Sequence, residues 1–162
     1  MIDIEQKDTV LRTFMLFVQT AQIVLKYTDA YLYRKARLSV VKLTALKALE
    51  TNNGVMTPSE IAEWTQTERH NITTLVRRMK RDGLITAERN INNKKYLNVM
   101  LTDKGREVLK QAIPVAKEAV DHVMSSITED NAALLEKQLR VLRQNTYEAL
   151  RGITFLANRI PQ

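Results

Sequence analysis

"TPSEIAEWTQTERHNITTLVRRMKRDGLI", residues 57–85, is where the fold is decided. Thr57 stands before Pro58, and Glu60 follows three positions on. A threonine that accepts from the third helical N–H, a proline at the first helical position and a glutamate reaching back form a capping box. A short helix is therefore predicted from Pro58 to about Trp64. A turn at Thr65–Thr67 follows, then a second helix to about Arg81, stopped by Asp82-Gly83. On a helical wheel Ile72, Leu75, Val76 and Met79 share one face of that second helix, and His70, Thr73, Thr74, Arg77 and Arg81 share the other. A short capped helix, a turn and an amphipathic helix with a basic outer face make a helix-turn-helix. In that motif the second helix enters the major groove and the first braces it against the backbone.

Downstream the period changes from helical to alternating. Residues 84–90 and 95–101 read as two strands joined by a tip of Asn92, Asn93, Lys94 and Lys95. An isolated hairpin is marginal in water, so this one must lean on the helix pair, as the wing of a winged helix-turn-helix. Between Thr65 and Tyr96 eight basic side chains face three acidic ones, a net of +5 out of the +7 of the whole chain. The charge lies where the proposed reading head lies. On an isolated hairpin Lys94 and Lys95 would be solubilising charges; beside a basic helix they read as groups that reach for phosphate and the minor-groove edge.

Upstream, Ser39 is placed to cap a helix with Val40, Leu43, Leu46 and Leu49 inward, ended by the Asn52-Asn53-Gly54 stop. Val55-Met56 allows a short strand. Before it, Leu11, Phe14, Val18, Ala21, Leu25, Thr28 and Leu32 recur at three- and four-residue spacing, one long helix with a narrow seam, and "YRKAR" (33–37) reads as a basic break after it. Thr102 begins a helix through about Ser126, with Pro114 expected to bend it. Thr128 caps a last helix whose Leu135, Leu139, Leu142, Thr146, Ala149, Ile153, Leu156 and Ile160 run for nearly four heptads. The order is ααβααββαα. The predicted fold class is mostly α with a small β-hairpin wing: an N-terminal helix (1–37) and C-terminal helices (102–162) for dimerisation, around a winged helix-turn-helix (38–101).

Composition narrows the function classes. The 162 residues are 44% hydrophobic, enough for a real core, and the pI is near 9.7. That balance favours a polyanionic partner. No cysteine is present, so disulfides, thiolate catalysis and cysteine redox sensing are excluded. No signal peptide opens the chain and no 18-residue run is free of charge, so the expectation is a cytoplasmic protein with no membrane partner. No paired catalytic carboxylates, Ser-His-Asp pattern, phosphate loop or metal spacing points to an enzyme, and neither a cofactor nor a metal is expected. His122 stands alone on the fifth helix, and two histidines without cysteine make a poor zinc site. Trp64 is expected in the core or in helix packing, the methionines in the core, Glu68 at the start of the second motif helix, and Arg78 to the side of the reading face.

"LSVVKLTALKAL" (38–49), residues 57–85 and "RNINNKKYLNVMLTDKG" (89–105) together resemble the MarR family of transcription regulators. The resemblance spans the family core in order and spacing: Arg78 and Met79, Gly83-Leu84, then Leu101-Thr102-x-x-Gly105. The family's wing Asp-Arg-Arg is here Asn93-Lys94-Lys95, and lysine acts as a point charge better suited to phosphate than to a narrow groove. The resemblance implies a homodimer whose first, fifth and sixth helices interlock. It also implies a pseudo-palindromic operator in double-stranded DNA, a repressor's role as the commoner one, and a small-molecule effector. Motif and resemblance together give the DNA-contacting set as Thr57, Ser59, Arg69, His70, Asn71, Thr73, Thr74, Arg77, Arg81, Arg89, Asn92, Asn93, Lys94 and Lys95. The dimerisation set is Leu11, Phe14, Val18, Leu135, Leu139, Leu142, Ile153, Leu156 and Ile160. The competing reading is a winged-helix module for a protein or RNA partner. Its discriminator is the outer face of residues 70–81, which a protein-binding module would more often make apolar.

Overall fold

The computed structural model describes residues 8–89 and 97–157, without the side chains of residues 69 and 154–157. Its elements follow the predicted order: α1 (Thr9–Ala36), α2 (Val40–Thr51), β1 (Val55–Met56), α3 (Pro58–Thr65), α4 (Arg69–Arg81), β2 (Ile85–Arg89), β3 (Leu97–Leu101), α5 (Asp103–Met124) and α6 (Glu129–Ala157). They divide into two compact units, residues 1–123 and 124–162.

In the first unit the helix boundaries follow from caps. Ser39 Oγ and the Asp29 carboxylate of α1 both accept from the first turn of α2, Asp29 from Val40 N at 2.8 Å. The same helix ends where Asn53 and Gly54 take left-handed φ of 58° and 83°. "YRKAR" is not a break: α1 continues through Ala36 and stops at left-handed Arg37. Arg34 and Lys35 lie in its last turn, where cations are favoured by the helix dipole. The sheet is antiparallel with order β1-β3-β2, Val55 opposite Met100 and Ile85 opposite Leu101.

Leu32, Leu46, Leu49, Ile61, Met79, Ile85, Val99 and Leu109 are the largest fully buried side chains. Residues of α1, α2, α3, α4, the sheet and α5 thus meet in one apolar core, and among the described residues no buried side-chain polar atom lacks a partner. Met56 and Met79 fill it, as expected, whereas Met15, Met100 and Met124 are only half-buried. Trp64 does not fill it: it is 51% exposed, at the rim of an apolar concavity with Leu43, Ala48, Leu109 and Ile113. Nor is His122 alone. Its Nδ1 lies 2.9 Å from the Tyr27 hydroxyl, and its ring meets Tyr31 edge-on at 5.5 Å. Tyr31 and Lys35 both donate to Glu118, at 2.9 and 2.6 Å, so polar pairs link α1 to α5. Helix α5 runs unbroken through Pro114.

Among the described residues, most of α1 is left uncovered. Leu32 is its one buried residue, Val18, Ala21 and Thr28 are half-buried, and Leu25 of the predicted seam is exposed. Leu11 and Phe14 are exposed too, with Leu16, Phe17 and Ile23. In the second unit Thr128 caps α6, accepting from Asn131 N, and Leu135, Leu139, Leu142 and Ile153 are all exposed. The Leu156 side chain and Ile160 lie outside the described residues. Among the described residues no helix is long and apolar enough to cross a membrane.

Candidate nucleic-acid interface

The expected reading head is built from α3 and α4. The capping box of α3 is complete: Glu60 N donates to Thr57 Oγ1 at 3.3 Å, and Thr57 N donates to Glu60 Oε2 at 2.7 Å. The Glu60 carboxyl is held below its ordinary value, first by the Thr57 backbone N–H and then by the Thr57 hydroxyl. The expected contact Thr57 is therefore half-buried with its hydroxyl engaged in the cap, whereas Ser59 is exposed. Left-handed Gln66 (φ 52°) turns the chain toward α4. Glu68 occupies the N-cap of α4 without a side-chain hydrogen bond to it, so any support it gives the helix start is electrostatic.

Helix α4 separates its faces as the wheel predicts. Ile72, Leu75, Val76 and Met79 are buried. His70, Asn71, Thr73, Arg77, Arg78 and Arg81 are exposed, and Thr74 is half-buried. Arg69 opens the helix, but its side chain lies outside the described residues. Arg89 is exposed at the end of β2, at the root of the wing. Asn92, Asn93, Lys94 and Lys95 lie outside the described residues, so the structure brings together only the helical part of the predicted contact set and the start of the wing.

The exit of α4 is more elaborate than a glycine stop. Leu84 N donates to Met79 O and Gly83 N to Lys80 O, both at 3.0 Å, with Gly83 at φ +73°, which is a Schellman end. The Thr102 hydroxyl donates to Gly83 O at 2.8 Å and accepts from Gly105 N at 3.0 Å. A Cβ on Gly105 would stand 2.2 Å from Leu84 O. The Leu-Thr-x-x-Gly run thus fastens the start of α5 against the end of the reading helix, and a glycine is required because backbone approaches backbone. Asp82, which sequence reasoning treated only as a helix stop, receives Lys42 Nζ of α2 at 2.6 Å and lies 3.6 Å from Arg81 Nε. Lys42 first, then Arg81, holds its carboxyl below the usual range. No spacing rule connects positions 42 and 82, so this pair was invisible in the sequence.

Residues 38–95 match the family model described as MarR family. No curated protein matches the chain. Among solved structures the chain is similar to the organohalide-sensing transcriptional regulator RdhR in its 2,4-dichlorophenol-bound form. The TM-score is 0.79 at 25% identity, covering 88% of this chain and 83% of that one. It is also similar in fold to Sco3205, a MarR family regulator from Streptomyces coelicolor in complex with DNA, with TM-score 0.77, 22% identity, and 83% and 86% covered. The Mycobacterium tuberculosis regulator MosR in complex with DNA gives 0.70, 22%, and 83% and 96%.

Proposed function

We propose that the chain, whose residues 38–95 match the MarR family model, is a DNA-binding transcription regulator of that family and works as a homodimeric repressor released by a small molecule. The observation that carries this reading is the outer face of α4. His70, Thr73, Arg77 and Arg81 are exposed there, and no large apolar side chain is exposed on that helix. A protein-docking helix would show the reverse. Two such helices related by a two-fold axis would read half-sites about one turn, roughly 34 Å, apart. The flanking segments 1–37 and 102–162 supply the dimer base; their exposed leucines and phenylalanines support this. The RdhR relative in its dichlorophenol-bound form supports an effector, and the apolar concavity beside Trp64, about 350 Å³, is large enough for a small ring.

The test is selection of duplexes from a random-sequence pool by the purified chain. The expected result is an enriched pseudo-palindrome, with transcription from a promoter overlapping it falling as protein is added. Enrichment of no sequence, or enrichment of single-stranded RNA from a parallel pool instead, would overturn the reading.

A further inference from the structure

Asp82 stands in two unfavourable places at once. It caps the C-terminal end of α4, where the helix carbonyls already carry negative partial charge. It also borders the basic face meant for a polyanion. A carboxylate there weakens both the helix and general affinity for DNA unless it has another task. Its contacts indicate one. Oδ2 accepts from Lys42 Nζ at 2.6 Å, with the two side chains only 33% and 20% exposed. Oδ1 faces Arg81 Nε at 3.6 Å. Its backbone carbonyl accepts from Lys104 Nζ at 2.7 Å. One residue therefore joins the last turn of α4 to α2 and to α5, and keeps beside it an arginine of the outer face. Fully exposed lysine–carboxylate pairs do little, but this one is sheltered and spans two elements.

We propose that Asp82, paired with Lys42, is a specificity-determining positioning residue: it sets the place of the last turn of α4 and holds the Arg81 guanidinium, so that Arg77 and Arg81 meet the groove in one register. The inference rests on α4 being the DNA-reading helix. It differs from a charge effect in a way that can be measured. Asp82→Asn removes a negative charge and should tighten binding to any duplex; Lys42→Met removes a positive one and should weaken it. Positioning makes both variants lower the ratio of affinities for selected over scrambled sequence, although their general affinities move in opposite directions.

The experiment measures binding of the parent, Asp82→Asn, Lys42→Met and the exchanged pair Lys42→Asp/Asp82→Lys to a duplex enriched by the parent and to its scrambled version. Thermal melting establishes that each variant is folded. Each single variant is expected to lose about tenfold in the ratio, comparable to the loss of one base pair's discrimination, and the exchanged pair to regain most of it. Ratios within about twofold of the parent in folded single variants would overturn the inference while leaving α4 as the reader. If a single variant does not fold, a folded exchanged pair with a restored ratio supports the proposal and one with a depressed ratio overturns it. A parent that enriches no duplex would overturn the reading of α4, and the inference with it.

Discussion

At the scale of single residues, the two basic parts of the head have different chemistry. Arg77 is exposed midway along α4, and a guanidinium there can make a bidentate contact to guanine worth roughly 1–3 kcal/mol of discrimination. The wing expected from the sequence would offer Lys94 and Lys95, ammonium groups suited to meet phosphate as point charges. Arg77→Ala should therefore flatten the preference for selected over scrambled duplex. Lys94→Ala should weaken both by a similar factor and make the salt slope shallower by about one unit per lost contact. Binding isotherms on the two duplexes decide; the opposite pattern would make the wing the reader. Gly105 gives a second test. A methyl group 2.2 Å from Leu84 O forces α5 away from the end of α4, and overpacking of this kind typically costs about 1–3 kcal/mol. Gly105→Ala should lower the unfolding free energy measured in denaturant by that amount, and an unchanged value would show that the joint yields freely. The identity of the outward residues on α4 was legible because a 3.6-residue period sorts faces without knowledge of the partner elements. The role of Asp82 was not, because an ion pair between positions 42 and 82 exists only once α2 and α4 have packed.

At the scale of elements, caps account for what the sequence revealed. The Thr57-Pro58-Glu60 signal sits within four residues and is satisfied by its own backbone, so it survives any tertiary context. The same local logic failed at "YRKAR", where charge looked like a boundary. Lysine and arginine are good helix formers and suit a C-terminal turn, so α1 stops only where Arg37 turns left-handed. Trp64 failed differently: apolar size suggested burial, yet the α2 and α5 residues around it leave an open concavity. The capping box makes two predictions. Thr57→Ala should cost about 1 kcal/mol of stability. The Glu60 carboxyl is lowered in the folded state, so its ionised form adds stability above its ordinary value of 4.5, and that contribution disappears as pH falls through the lower folded value. The stability gap between parent and Glu60→Gln, measured by denaturant unfolding, should therefore be full at neutral pH and shrink as the solution is acidified below 4.5. A gap that grew on acidification would contradict the cap geometry.

At the scale of the whole molecule, α1 and α6 leave large apolar side chains exposed among the described residues. Leu11 is 39% exposed, Phe14 55% and Leu25 60% on α1; Leu135, Leu142 and Ile153 are 45%, 43% and 63% exposed on α6. Isolated exposed leucines are ordinary, but stripes of them at helical spacing on two long helices are what the proposed dimer requires. The stripes were legible from spacing alone; which of their members lie inward was not, since Val18, Ala21 and Thr28 are half-covered while Leu25 is open. The proposed second copy would cover the stripes and would also double the basic face. Each neutralised phosphate contributes about −0.9 to the slope of log affinity against log salt, so a dimer should show a slope well beyond what one copy of α4 could supply, and a slope near zero would exclude backbone-dominated binding. The dimer itself is tested most directly at Leu142. A glutamate there places a charge in the centre of the α6 seam, which an interface core excludes. Because obligate dimers often have no stable monomer, Leu142→Glu should lower the melting temperature, make it depend more steeply on protein concentration, and reduce DNA binding in parallel. Sedimentation of the parent at micromolar concentration should give twice the 18.6 kDa chain mass. A folded parent sedimenting as a single chain, or a Leu142→Glu variant that keeps the parent's melting temperature and DNA affinity, would mean that the stripe on α6 serves something other than a second copy.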